Sequence, residues 1–197
     1  MQDPPPPDDA PPATDIPDPA KLYDAALNYL ARYAATEAGL RQVLLRRVDR
    51  WARALPDPDS AEDQIAAARR AIGPIIARLV VLKAVDDAAF AASRSLGLLR
   101  AGVSRRGVTA KLAAKGIPPA QAASALPDDP EAELGAAVVL TRKRRIGPFR
   151  ATETDDPAVR RREFGIMARA GFPSAIAREA LAMDREDAEA RILALRQ

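Results

Sequence analysis

Two stretches of the sequence, GIPPAQAASAL at 116–126 and GFPSAIAREAL at 171–181, have the same length and the same order of residue types. Each begins with a glycine, a large apolar residue and a proline, and continues into a short segment rich in alanine. Glycine commonly ends a helix because it adopts a left-handed turn without strain. Proline is tolerated in the first turn of a helix, where its missing N–H has no helical partner. Each stretch therefore predicts a joint between two helices.

The similarity extends upstream of both joints. The arginine pair at 105–106 aligns with the pair at 160–161, so each copy has a basic helix before its glycine. We expect the residue after each glycine, Ile117 in one copy and Phe172 in the other, to fill the space between the two helices. A longer predicted helix precedes each copy, so the repeated unit consists of three helices.

Tandem copies of this unit predict the organisation of the chain. Residues 19–83 look like a third, more divergent copy, in which LLRRV at 44–48 stands where LAAKGI stands in the second copy. Small helical units bury little surface alone and gain stability by stacking, so we expect an elongated all-α body of about three units. The predicted segments are a disordered Pro/Asp-rich tail at 1–18, a divergent repeat at 19–83, a repeat at 84–127, and a repeat with a C-terminal helix at 128–197.

The composition supports an all-α fold. Apolar residues make up 48% of the 197 residues, but aromatic residues make up only 4%. The core must therefore be built from Ala, Leu, Ile and Val, and alanine has the highest helix propensity. No long run alternates apolar and polar residues, as a half-buried strand would require.

Several local signals predict helix boundaries and faces. Thr36 and Ser60 each precede a helical pattern and are predicted N-caps. The pair Gly73-Pro74 should stop or kink the helix that contains it. The segment from 184 onward is predicted to be an exposed helix. The residues expected to face inward from the helix after position 86 are Ala89, Phe90, Ser93, Leu96 and Leu99.

The absence of cysteine and histidine excludes several kinds of chemistry. Disulfide bonds, thiolate and imidazole metal sites, cysteine nucleophiles and His-based catalysis are all ruled out. Acidic pairs at 86–87, 128–129 and 155–156 could hold a hard cation, but each precedes a predicted helix, where N-capping explains it. We therefore expect no metal, no cofactor and no enzymatic activity. No apolar run could span a bilayer, and no secretory signal precedes the first helix, so we expect a cytosolic protein that does not bind membranes.

Charged residues are segregated along the chain. The first 20 residues contain five Asp and no Lys or Arg, and the rest of the chain carries a net charge of +8, against +3 for the whole. Residues 91–126 contain six basic residues and no acid, and a second cluster, RKRRIGPFR, occupies 142–150. Such segregation indicates a polyanionic or acidic partner. The alternative is a solvated arginine-rich surface with no binding role.

The order and spacing of four motifs resemble the RecX family. The motifs are ALNYLARYAATEAGLRQVLLRR at 26–47, VDDAAFAAS at 85–93, SRRG…KGI at 104–117 and ARAGFP…I…EAL at 169–181. The resemblance implies a bacterial, cytoplasmic, non-enzymatic regulator of the RecA recombinase that is linked to the SOS response. It implies binding within the groove of the RecA filament on DNA, and inhibition of ATP hydrolysis, strand exchange and repressor co-cleavage. Some members also bind DNA weakly, and we expect a monomer.

Binding along such a filament would use arginine and lysine, because the planar guanidinium grips carboxylate or phosphate with two hydrogen bonds. The predicted contacts lie in the two later units and are Arg100, Arg105, Arg106, Lys111, Lys115, Arg142, Lys143, Arg144, Arg145, Arg150, Arg160, Arg161 and Arg162.

Two alternatives remain open from the sequence. Tyr23, Tyr29, Tyr33 and Trp51 could stack on bases, although core packing explains those on an apolar helical stripe. Short basic helices joined by tight glycine turns also fit a helix-turn-helix protein that acts on DNA directly.

Overall fold

The computed structural model describes residues 17–126, 129–152 and 154–195. This part of the chain forms ten α-helices and two short 3₁₀ turns, Asp59–Ala61 and Gly147–Phe149, and contains no strand. The helices are α1 (Pro19–Leu30), α2 (Glu37–Ala54), α3 (Glu62–Val81), α4 (Asp87–Arg100), α5 (Arg105–Ala113), α6 (Pro119–Ser124), α7 (Pro130–Arg144), α8 (Pro157–Arg169), α9 (Ser174–Ala182) and α10 (Arg185–Ala194). The all-α prediction is confirmed. Residues 1–16, which hold most of the predicted tail, lie outside the described residues.

The chain divides into two compact units, and the division between Phe90 and Ala91 falls within α4. In the first unit, α3 packs against α1 and α2, which also contact each other. Aliphatic side chains from all three helices form its core: Leu22, Leu40, Leu44, Val48, Ile72, Ile76 and Leu79. The order of helices is consistent with tandem three-helix repeats, whose boundaries remain predictions.

The helix α3 runs without interruption from Glu62 to Val81, with Pro74 in its interior. Of the two outcomes expected at Gly73-Pro74, the stop is therefore wrong, and the kink stays a prediction. A proline inside a helix removes a hydrogen bond and costs about 3 kcal/mol. Ile72 and Ile76 on either side of it are buried in the core, and each fully buried aliphatic side chain contributes about 1.5–3 kcal/mol. Tertiary packing thus outweighs the local penalty.

The two predicted N-caps of the first unit differ in outcome. The Thr36 hydroxyl accepts a hydrogen bond from Gly39 N at 2.9 Å and caps α2, as predicted. Ser60 caps no helix, because it lies inside the first 3₁₀ turn and its hydroxyl donates to the Asp57 carbonyl at 2.9 Å. The loop therefore closes on itself, and α3 begins after it without a side-chain cap.

The inner face of α4 also differs from the expected one. Its buried residues are Ala91, Ser95 and Leu99, whereas Leu96 is 45% exposed and Ala89 and Ser93 are exposed. Of the five expected residues, Leu99 is buried and Phe90 is half-buried. Which stripe of α4 is covered depends on the neighbouring elements, and side-chain size alone does not indicate it.

The helix α7 lies at the centre of the second unit. Its buried residues, which run from Glu133 to Thr141, occupy every side of the helix, as expected for a helix surrounded by protein. Both α9 and α10 pack against it, as does the second 3₁₀ turn.

The closing helix α10 is packed rather than simply exposed, which corrects the sequence expectation. Ala188 and Ile192 are buried, and α10 packs on α7. Arg191 forms an ion pair with Glu131. Because half of the residues of α10 are charged, its narrow buried stripe of one alanine and one isoleucine is difficult to recognise from the sequence.

The two glycine joints of the second unit have the same backbone. Gly116 has φ +84° and Gly171 has φ +87°. In each joint the N–H of the next residue donates to a carbonyl five residues earlier, Ile117 to Leu112 at 3.1 Å and Phe172 to Met167 at 3.2 Å. This 6→1 bond satisfies an otherwise orphaned carbonyl at the helix end.

The residues that follow each glycine are buried, Ile117 at 1% exposure and Phe172 at 5%. The predicted joints are therefore confirmed. Each proline, 118 or 173, is the N-cap residue of the next helix, one position before the first turn in which we expected it. In the first unit, LLRRV at 44–48 lies inside α2 and forms no such joint.

Candidate partner-binding surface

Two arginines lie at the start of α5, where the helix dipole makes a positive charge unfavourable. Arg105 and Arg106 are its first two residues, and its first turn contains no acid. The N-terminus of a helix carries a partial positive charge, so cations there reduce helix stability and anions increase it. The dipole of α5 therefore does not favour these two arginines, whereas it would favour an anionic partner bound at this helix start.

The start of α5 is held by two other elements of the second unit. The Ser104 hydroxyl caps α5 by accepting from Gly107 N at 3.1 Å, and it donates to the Ala170 carbonyl at 2.7 Å. The Glu133 carboxylate on α7 accepts from Arg105 N at 2.8 Å. The backbone that carries Arg105 and Arg106 is thus tied to α7 and to the α8–α9 joint.

Glu133 is a buried carboxyl in this arrangement. Burial raises the pKa of Glu133 above its ordinary value, and the hydrogen bond from Arg105 N and the charge of Arg105 oppose this shift. Protonation of Glu133 is therefore easier than that of an exposed glutamate, and the helix start that it binds limits this effect.

The side chain of Arg106 runs across the α8–α9 joint. A Cβ placed on Gly171 would lie 3.5 Å from Cβ and Cδ of Arg106. A pocket of about 350 Å³ adjoins this joint and is lined by Leu140, Arg144, Ile166, Arg169 and Ala170. We call Arg105, Arg106, Arg144 and Arg169, together with this pocket, the joint surface.

Arg169 is the member of the joint surface that the sequence analysis missed. It lies at the end of α8, two residues before Gly171, and the aligned residue of the other copy is Ala114. Comparison of the two copies therefore did not indicate Arg169 as a contact residue. Proximity to Arg144 across the pocket appears only when α7 and α8 are packed.

The RKRR cluster at 142–145 does not act as a single group. Arg142, Lys143 and Arg144 form the last turn of α7, where cations favour the helix dipole. Lys143 Nζ donates to the Ala101 carbonyl at 2.6 Å and so holds the turn between α4 and α5. Arg145 follows in a left-handed conformation with φ +53°. All four residues are exposed, and Arg144 also lines the joint pocket.

Other predicted contact residues have structural partners. Arg100 Nε donates to the Leu195 carbonyl at 3.1 Å and ties α4 to α10. Arg150 binds Glu163 through two nitrogens, and Arg160 pairs with Asp155. Lys111, Lys115, Arg161 and Arg162 are exposed on α5, the first joint and α8. The structure thus brings only some of the predicted residues into the joint surface.

The aromatic residues of the first unit belong mainly to its core. Trp51 is 3% exposed, and Tyr23 and Tyr29 pack against the core cluster. The guanidinium of Arg78 lies 4.8 Å from the centre of the Tyr23 ring, and the Tyr29 and Tyr33 rings are 5.2 Å apart. Core packing is therefore confirmed for Trp51.

One residue of each acidic pair caps a helix, as expected, and Asp128 lies outside the described residues. Asp86 accepts from Ala89 N at 2.9 Å, Asp129 from Glu131 N at 2.9 Å and Asp156 from Ala158 N at 2.8 Å. The bond from Ala89 holds the pKa of Asp86 below its ordinary value. Within the described residues, no group of three or more acidic side chains is placed to hold a metal ion. In the same part of the chain, no helix has the length and apolar character needed to cross a bilayer.

Two curated proteins are similar to the chain over most of its length, and both are named regulatory protein RecX. The one from Myxococcus xanthus is 36% identical over 165 residues, which cover 83% of this chain and 85% of the relative. The one from Agrobacterium fabrum is 34% identical over 167 residues, which cover 84% of each protein. No protein-family model and no solved structure matches the chain significantly. Because the identity extends over more than four fifths of both relatives, the chain belongs to the RecX family of regulatory proteins.

Proposed function

We propose that the chain binds the RecA filament on DNA and inhibits its recombinase, ATPase and SOS co-protease activities in the bacterial cytoplasm. It acts as a monomer, by occupying the filament, and performs no chemistry of its own. The observation that carries this proposal is the pair Arg105 and Arg106 at the positive start of α5, whose backbone is held by partly buried hydrogen bonds from Ser104 to Ala170 and from Arg105 N to Glu133. A rigid cationic surface suits a large anionic partner better than a flexible surface does.

The joint surface can provide both affinity and register. Arginine forks bind carboxylates or phosphates with paired hydrogen bonds. The pocket between Arg144 and Arg169 is lined by Leu140 and Ile166, so it can accept an apolar side chain between two cations. A protein-coated polyanion offers carboxylates, apolar side chains and phosphates together, and contacts to its phosphates would weaken as salt increases.

The proposal is tested by ATP hydrolysis of the host RecA on single-stranded DNA. Replacing Arg106, Arg144 and Arg169 with Ala should raise the concentration needed for half-inhibition by at least about tenfold, a loss of about 1.4 kcal/mol in binding. The matched control replaces three exposed arginines of α2, namely Arg41, Arg46 and Arg53, and so removes the same charge. Equal loss in both variants would indicate net charge alone and would contradict the placement of the binding surface.

Direct action on DNA is the second candidate. It is favoured by the short helices α5 and α6, joined by the Gly116 turn with Arg105 and Arg106 at the start of the first. Binding of the full chain to naked DNA and to RecA-coated DNA with ATP separates the two. Tighter binding to the coated DNA supports filament regulation, and tighter binding to naked DNA supports the second candidate.

A further inference from the structure

A second concave region lies in the second unit and is larger than the joint pocket. It is a cleft of about 1070 Å³ bordered by α8, α9, the start of α10 and the chain that follows the second 3₁₀ turn. Of the contacts predicted from sequence, only Arg150 and Arg160 line it. The proposed filament surface therefore does not account for it.

One wall of the cleft is fixed by a largely buried ion pair. Glu163 on α8 is 5% exposed, and its carboxylate binds Arg150 Nε at 3.2 Å and Arg150 Nη2 at 2.5 Å. The same carboxylate accepts from Gly147 N at 3.3 Å. These three bonds hold residues 147–150 in place beside α8, so this wall is part of the folded structure.

Two arginines lie against aromatic rings at the cleft. The guanidinium carbon of Arg178 lies 5.9 Å from the centre of the Phe164 ring, and that of Arg185 lies 5.8 Å from the centre of the Phe149 ring. Such contacts leave the donors at the edge of a guanidinium available, although Arg185 Nε already donates to Glu189 Oε1 at 3.1 Å, so Arg185 offers its two Nη groups. Leu181 and Met183 line the cleft with the two arginines and supply apolar surface.

We propose that this cleft binds an acidic peptide segment with an apolar side chain, supplied by a partner protein. The arginine side chains bind the carboxylates, and the surface of Leu181, Met183 and Phe164 binds the apolar side chain. Arginine and aromatic residues are also those enriched at the centres of protein interfaces.

The acids around the cleft favour a peptide over nucleic acid. Asp155 and Asp184 line it together with the arginines, and Asp155 is paired with Arg160. A nucleic-acid strand carries a charge at every nucleotide, so its backbone would meet these carboxylates wherever it lay. A peptide can place its carboxylates opposite Arg178 and Arg185 and uncharged residues opposite Asp155 and Asp184.

The test measures binding of a short fluorescein-labelled peptide, in which leucines stand among glutamates, to the full chain by fluorescence anisotropy. Replacing Arg178 and Arg185 with Ala should weaken binding by at least about tenfold. Arg178→Lys keeps the charge but loses the planar fork, so it should weaken binding severalfold. The control, Arg46 and Arg53 to Ala in α2, should leave binding unchanged. Because Arg178 and Arg185 are exposed, the variants should keep the helical circular dichroism of the parent.

Two altered peptides test whether binding depends on the carboxylates and on the apolar side chains. The same peptide with Gln for Glu, or with Ala for Leu, should bind at least about tenfold more weakly. Unchanged binding of either probe, or an equal loss in the α2 control, overturns the proposal. The proposal is also overturned if oligothymidylate binds more tightly than the peptide and depends on the same two arginines.

Two other occupants are distinguished in the same assay. A variant without residues 2–16 that binds the peptide at least tenfold more tightly would assign the cleft to this chain's own Asp-rich segment. Self-association that depends on Arg178 and Arg185 would assign it to a second copy. Either outcome would contradict the proposal that a partner protein supplies the bound peptide. Peptide binding does not require RecA, so its failure is separate from failure of the proposed function, which the ATPase assay measures.

Discussion

The α5–α6 and α8–α9 joints share one backbone and differ in what surrounds it. Residue 108 on α5 and residue 163 on α8 occupy the same position relative to their glycines, and both are buried, at 0% and 5% exposure. In the first copy this residue is Val108, which packs as an apolar side chain. In the second it is Glu163, which binds Arg150 and Gly147 N and so fixes the wall of the cleft. One buried position has thus been used for packing in one copy and for a polar anchor in the other.

The aligned arginine pairs differ in the same way. Arg105 and Arg106 are the first residues of α5, whereas α8 begins at Pro157, so Arg160 and Arg161 lie one turn inside their helix. Only the first pair lies at the positive end of a helix dipole. Similar sequence therefore produces a charged helix start in one copy and an ordinary helix surface in the other.

The largest expected effect concerns the residues that fill the joints. Phe172→Ala should destabilise the second unit by about 3–5 kcal/mol, and Ile117→Ala by about 2–5 kcal/mol, because each leaves a cavity in a packed site. Urea unfolding followed by circular dichroism measures the loss. Trp51, the single tryptophan, is buried in the first unit, and its fluorescence provides an internal control. A loss below about 1 kcal/mol for Phe172→Ala would show that the joint does not depend on its filling residue.

The next effect concerns the polar anchor of the second copy. Arg150→Ala should cost about 3 kcal/mol, because it leaves Glu163 buried without its partner. Adding Glu163→Val, which copies the residue of the first joint, should recover part of this loss. About 1–2 kcal/mol should remain, since Gly147 N–H then lacks its acceptor. If the double variant is no more stable than Arg150→Ala in urea unfolding, the ion pair does not explain the cost.

The smallest effect compares the two glycines themselves. Alanine at either position adopts a left-handed conformation at a cost of about 1–2 kcal/mol. Gly171→Ala should cost about 1 kcal/mol more than Gly116→Ala, because its Cβ would lie 2.9 Å from Ser104 Oγ and disturb a hydrogen-bonded cap. Parallel urea unfolding of the two variants measures the difference. Equal costs would mean that Ser104 moves freely, which its bond to Ala170 opposes.

Features that depend on neighbours along the chain were predictable. The cap at Thr36, the caps at Asp86, Asp129 and Asp156, and the two glycine joints each involve bonds within about five residues. The chemistry of such short segments is contained in the residues themselves. The basic character of α5 and α8 was equally visible, because charge is a property of composition.

Features that depend on distant partners were not predictable. The helix α4 buries Ala91 and Ser95, whereas Ala89, Ser93 and Leu96 had been expected to face inward. Arg169 and Arg178 acquired significance only through α7 and through the Phe164 ring. None of these has a distinguishing signal within its own segment.

The amino-acid sequence by itself determined that this chain would be helical, where most of its helices begin and end, and that two joints would be built alike. Capping bonds, glycine turns and alanine propensity act over one or two helical turns, so the residues that decide them lie close together in the sequence. The tertiary structure alone decided that α3 continues through Pro74, which face of α4 is buried and which arginines meet at the α8–α9 joint. These outcomes depend on burial against residues distant in the chain, and that free energy exceeds the local preferences that the sequence displays.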